Sequence, residues 1–99
     1  ITGDDSRIPP GRGKPFPDIW NLGLKELNAK FNSHITPEEC LVFEDGIPGV
    51  RAGKAFGAYV IWIPHVEAVP FISDPSGILE GKGEILSSMT EFEPSKFGL

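Results

Sequence analysis

The stretch LVFEDGIPGVRAGKAFGAYVIW, residues 41–62, decides the fold. CLVF (40–43) is short, continuous and apolar, as expected for a parallel strand covered on both faces. IPGVRAGKAFG follows as a helix from about Pro48 to Phe56, in which Gly53 allows close packing on a sheet and Gly57 supplies a C-terminal stop. AYVIWI (58–63) is a second buried strand, ended by Pro64. Strand, helix and strand within about 25 residues make a βαβ unit, which predicts parallel strands joined by a right-handed crossover.

Upstream, GDDSRIPPGRGKPFP (3–17) combines glycine, proline and charge without apolar periodicity and reads as loop. A helix begins near Pro17, because proline suits a first helical turn and Asp18 places negative charge at the N-terminus. Trp20, Leu24, Leu27 and Phe31 give this helix one apolar face. Thr36 is a possible N-cap, with Pro37 as the first residue of a short turn. Downstream of Pro64 the pattern is irregular, with room for one helical turn. EILSSM (84–89) suits a short outer strand, and the phenylalanines of TEFEPSKFGL suit a tail tacked onto the body. The opening ITGDD reads as the end of a strand running into a turn, and with Ile1 in first place the chain looks like part of something longer.

Ninety-nine residues with 39% apolar content support at most one small domain with a thin core. A net charge of −5 argues against nucleic acid or an anionic membrane as the main partner. Cys40 is the only cysteine and cannot form an intramolecular disulfide, and no stretch is long or apolar enough for a signal peptide or membrane span. A reducing, cytoplasmic setting is therefore expected.

The βαβ reading puts Glu44 and Asp45 at the carboxyl end of a parallel strand, the edge where open α/β sheets build ligand sites. A dinucleotide fingerprint is excluded, because with Gly46 and Gly49 as its last glycines its first would fall on Glu44. A P-loop is excluded too, since Gly13-Lys14 is followed by Pro15 and position 8 is Ile8. Two hard oxygen donors at a strand end suit Mg²⁺, which takes one or two carboxylates and completes its shell with water and phosphate oxygens. The alternative without chemistry is that Asp45 caps the following helix and Glu44 faces solvent. Lys14, in a glycine-proline loop just before a helix, can act as a point charge on a phosphoryl group or be an ordinary solvated lysine. His65 and His34 lack partners at any metal or acid-base spacing, and His34 sits where an imidazole favours a helix C-terminus. Cys40 reads as a small buried hydrophobe, and Trp20 and Trp62 as core residues.

GKPFPDIW, followed after a helix by CLVFEDGIPGVRAGKAFGAYVIWIP, resembles the third and fourth motifs of the haloacid dehalogenase-like (HAD) phosphatases, in the branch of β-phosphoglucomutase and small sugar-phosphate or nucleoside-phosphate phosphatases. The match spans about residues 1–64, and EILSSMTEFEPSKFGL is similar to the C-terminus of pseudouridine-5′-phosphatase-like members. The resemblance implies that Lys14 is the motif-three lysine, that Asp45 is a Mg²⁺ ligand and that Glu44 helps to hold the metal. It implies the C-terminal portion of a Rossmann-like parallel sheet with flanking helices, with residues 1–64 carrying both motifs and 65–99 forming the irregular remainder. It also implies that a small phosphorylated metabolite is the substrate.

The departure from the family is the nucleophile. These enzymes attack phosphorus with an aspartate in D-x-D-x-T/V on a first strand, forming an aspartyl-phosphate. Asp4 and Asp5 are adjacent where the motif needs acids two apart, and the motif-two serine or threonine and the cap domain have no counterpart. The partner expected is thus the N-terminal half of the same core, whose first strand would lie beside 40–44. Without it, an apolar sheet edge is expected, and the chain alone should not turn over. Two readings follow from the resemblance: part of a Mg²⁺-dependent phosphatase, or a truncated HAD-like protein that binds metal, phosphate or a protein partner without catalysis; a third, an unrelated flavodoxin-like or receiver-like fragment, requires both motif matches to be accidental.

Overall fold

The computed structural model describes residues 1–99. The chain passes through helix α1 (Asp18–Phe31), strand β1 (Leu41–Glu44), helix α2 (Ile47–Phe56), strand β2 (Tyr59–Trp62), short helix α3 (Pro75–Leu79) and strand β3 (Gly83–Ile85). The three strands form one parallel sheet in the order β1-β2-β3. Leu41 pairs with Tyr59 and Glu44 with Trp62, so the carboxyl ends of β1 and β2 lie level. The α/β frame read from residues 41–62 is the one observed.

Its boundaries shift by a residue. β1 starts at Leu41 instead of Cys40, because the Cys40 N–H closes the 3-10 turn Pro37–Glu39 by donating to the Pro37 carbonyl at 3.0 Å. That turn is held by the Glu39 carboxylate, which accepts from the Thr36 N–H at 3.0 Å.

The face of the sheet toward α2 carries the core. Val42, Val60 and Trp62 pack with Val50, Phe56, Ala58 and Leu79, and Trp20 and Leu24 of α1 lean on this cluster. Gly53 sets the spacing: a Cβ there would lie 2.9 Å from Val60 Cγ2 and 3.1 Å from Val42 Cγ1, so only a glycine lets α2 sit this close. Only the first half of the predicted apolar face of α1 is covered. Leu27 and Phe31 remain exposed, since the fourteen-residue α1 outruns the ten-residue α2 it packs on. With 13 of 99 residues buried, the core is as thin as the length implies.

The tail covers part of the other face. Phe92 meets Phe43 edge-on at 5.0 Å and stacks on Phe97 at 5.6 Å, and Phe97 lies 5.5 Å from Tyr59. Ile61, on this face by alternation, is fully buried. The outer strand expected at 84–89 is the three-residue β3, one residue earlier and shorter. Serine chemistry ends it, because the Glu91 carboxylate takes the Ser87 N–H and hydroxyl and the Ser88 hydroxyl accepts the Thr90 N–H. No strand forms at ITGDD: the Asp5 N–H bonds the Thr2 carbonyl at 3.0 Å, closing a turn at once. β1 is an edge strand, paired with β2 alone, and Phe43 on it is 40% exposed. No helix is long and apolar enough to cross a membrane.

Two expectations follow. Phe92→Ala removes two aromatic pairs worth about 1 kcal/mol each, and should lower Tm by about 10 °C in a domain of this size while exposing 86–99 to protease. A Tm unchanged within a degree would mean the tail does not hold the sheet. Glu39, Glu80 and Glu91 are held below the usual glutamate value, by Thr36, Lys54 and Ser87 respectively. Their stabilisation is complete above the usual value of 4.5 and lost as pH falls through the lowered folded values. The urea midpoint should fall on acidification below that value, and less steeply in Glu91→Gln.

Candidate active site

Lys14 and Glu44, thirty residues apart in sequence, meet: Lys14 Nζ lies 2.7 Å from Glu44 Oε1. The lysine comes from a turn closed by the Phe16 N–H on the Gly13 carbonyl at 3.0 Å, and Arg12 ties that loop to α1 through Asp18 at 2.9 Å. Its ammonium also stands 5.9 Å from the Trp20 ring. The Glu44 side chain is only 7% exposed, against 41% for Lys14. Lys14 is the ion-pair partner of this buried carboxylate.

The carboxylate of Glu44 lies against Gly49 in the first turn of α2, where a Cβ would fall 2.1 Å from Oε2. Asp45 follows at once and is exposed, with its carbonyl accepting from Trp62 Nε1 at 3.2 Å. It caps nothing: the N-cap of α2 is Gly46, without a side-chain bond. Thus neither half of the alternative without chemistry, a capping Asp45 and a solvent-facing Glu44, describes the structure. A cleft of about 270 Å³ lined by Phe43, Glu44, Asp45, Ile63 and Met89 opens on one side of the pair. Another of about 310 Å³, including Gly13, Lys14 and Ile19, opens on the lysine's side. The largest cavity, about 510 Å³ between α2 and α3, holds none of these residues and is not where the strand-end carboxylates meet the lysine.

The family model for haloacid dehalogenase-like hydrolases matches residues 1–57, a span that contains Lys14, Glu44 and Asp45. This chain belongs to the haloacid dehalogenase-like hydrolase family. A probable pseudouridine-5′-phosphatase of Saccharomyces cerevisiae is 65% identical over all 99 residues, which cover 42% of its own length. A bifunctional riboflavin kinase/FMN phosphatase of Arabidopsis thaliana is 36% identical over 89% of this chain and 20% of that one. The crystal structure of a HAD hydrolase, family IA, variant 3, from Entamoeba histolytica superposes with a TM-score of 0.63 at 25% identity, over 95% of this chain and 36% of that one. The chain thus spans less than half the length of these relatives.

Glu44 and Asp45 offer two hard oxygen donors beside one lysine, a residual negative charge at a strand end. That fits Mg²⁺, an ion that accepts one or two carboxylates and fills its remaining positions with water and phosphate oxygens. No group of three or more His, Cys, Asp or Glu residues suited to a metal occurs in the chain.

The remaining candidates stay outside this constellation. His65 Nδ1 accepts the Glu67 N–H at 3.2 Å, a local turn contact. His34 lies three residues beyond the end of α1 and gives no cap, a role taken by Asn32 in the left-handed conformation and by Asn28, which bonds Ser33 and Ile35. Burial, and then the charges of Glu39 and Glu38, push the Cys40 thiol up, which suits an inert residue. Asp5 is bound by Arg7 at 2.9 Å and Asp4 by Thr2.

Two contributors escaped the sequence reading. Trp62 fills the core as expected but also donates to Asp45, a contact signalled only by the level register of Glu44 and Trp62. Gly49 accommodates the Glu44 carboxylate, signalled by a glycine one helical turn past the acids.

Gly49→Ala should therefore leave the fold intact, since alanine favours the helix by up to about 1 kcal/mol and a glutamate tip can turn aside. It should break the Lys14–Glu44 contact, raising the acetylation rate of Lys14 several-fold in mass-spectrometric labelling. An unchanged rate would show that Glu44 is not held where Gly49 leaves room.

Proposed function

We propose that this chain supplies the lysine and metal acids of a Mg²⁺-dependent phosphatase acting on a small phosphorylated metabolite, a sugar phosphate or a nucleoside monophosphate. The observation that carries the reading is the 2.7 Å contact of Lys14 with Glu44 at the carboxyl end of a parallel strand, with Asp45 beside it. Relatives named for pseudouridine-5′-phosphate, FMN and glycerol-3-phosphate support the substrate class, because each is a small phosphomonoester.

Phosphoryl transfer asks mainly for positioning and charge neutralisation. Lys14 offers a fixed positive charge to the phosphoryl oxygens, and Glu44 keeps its ammonium at the strand end before substrate arrives, so little reorganisation is needed. Glu44 and Asp45 would hold Mg²⁺, which when bound spreads and offsets charge on the phosphoryl group. The nucleophile in this reading is an aspartate outside these 99 residues: its carboxylate oxygen bonds to phosphorus, the ester oxygen leaves, and water then hydrolyses the acyl phosphate.

The test is complementation. The chain is co-expressed with the part of the S. cerevisiae relative that lies outside the matched region, and hydrolysis of p-nitrophenyl phosphate and pseudouridine-5′-phosphate is followed with Mg²⁺. The chain alone should show no turnover. The pair should be active, and Lys14→Ala should cost about 100-fold or more. Turnover by the chain alone, or a pair whose activity survives both Lys14→Ala and Asp45→Asn, would overturn the reading.

A further inference from the structure

Asp45 is the first residue past the end of β1, where a peptide plane loses its ladder partners and is free to rotate. Here three successive carbonyls are nonetheless each engaged by a donor from a different place. The Glu44 carbonyl accepts from Ile63 N at 2.8 Å, the last sheet bond between β1 and the β2 side. The Gly46 carbonyl accepts from Val50 N at 3.0 Å, the opening bond of α2. Between them neither sheet nor helix supplies a donor for the Asp45 carbonyl. The Trp62 indole fills the gap at 3.2 Å, from a side chain that is wholly buried and directly in register with Glu44.

From this we infer that Trp62 is a positioning residue, whose indole N–H fixes the Asp45–Gly46 peptide plane and so limits the backbone from which the Asp45 carboxylate projects. The inference rests on the metal-acid role proposed above. The carboxylates themselves face different constraints: Glu44 is held by Lys14 and Gly49, whereas Asp45 is exposed and its side chain has no hydrogen-bond partner. With no side-chain partner, Asp45 takes its direction from its backbone, and Trp62 holds the one carbonyl there that neither sheet nor helix engages. The indole belongs to the core cluster, so the acid's direction is tied to the packing between α2 and the sheet.

The experiment is NMR on the chain, comparing wild type with Trp62→Phe and with benzothienylalanine at position 62, which keeps the bicyclic shape and replaces the N–H with sulfur. The reporter is the Gly46 amide, which shares its peptide plane with the Asp45 carbonyl. Its order parameter should be near the rigid value of about 0.85 in wild type and fall toward about 0.6 in both variants, with thermal melts showing the benzothienylalanine chain folded. Mn²⁺, used as a paramagnetic probe, should broaden the Asp45 and Gly46 signals in wild type, with affinity reduced about five-fold when the donor is absent. If the Gly46 amide stays rigid in the folded benzothienylalanine chain, the inference is overturned. If wild type shows no Mn²⁺ broadening, the metal-acid reading fails, and the order parameter still decides whether Trp62 fixes the peptide plane.

Discussion

The ion pair between Lys14 and Glu44 is the constraint on which the site depends. A carboxylate that is 7% exposed must have a partner, and the only cation within reach arrives from a loop before α1. Lys14 meets that need from the loop before α1, and the separate Arg12–Asp18 pair ties the same loop to the first turn of α1. The pair also bears on α2, because the carboxylate occupies the space a side chain at position 49 would take. One contact thus couples a loop, a strand end and the first turn of α2.

The two glycines of α2 serve different ends on the same helix. Gly53 lets the helix press onto Val42 and Val60, which builds the core, and Gly49 makes room at the strand end for a charge. Each forgoes helix propensity, about 1 kcal/mol relative to alanine. The helix is therefore weaker than its composition allows, and its stability comes from packing on Val42, Val60 and Trp62 rather than from its own hydrogen-bonded turns.

How far this was legible depended on whether the signal was local. The run from Leu41 to Trp62 carried its own periods and stop signals, so the parallel pair, the helix between and the level strand ends followed from it. Lys14 was identifiable as a candidate through its loop, and Glu44 and Asp45 through their place after an apolar run. What the residues alone left open was whether the lysine and the acids meet, because a thirty-residue separation says nothing about approach. The indole of Trp62 was read correctly as core, but its donor function depends on register and rotamer, which no composition records. The half-covered α1 was missed for the same reason: period shows that a face is apolar, not what lies opposite it.

β1 is an outer strand of its sheet, and it is also the strand that leads into the acid pair. Adjacent strands lie about 4.8 Å apart, so a strand laid parallel along this free margin would bring its last residue within one side chain's length of Glu44 and Asp45. The free margin at β1 is thus the one that ends beside the charge.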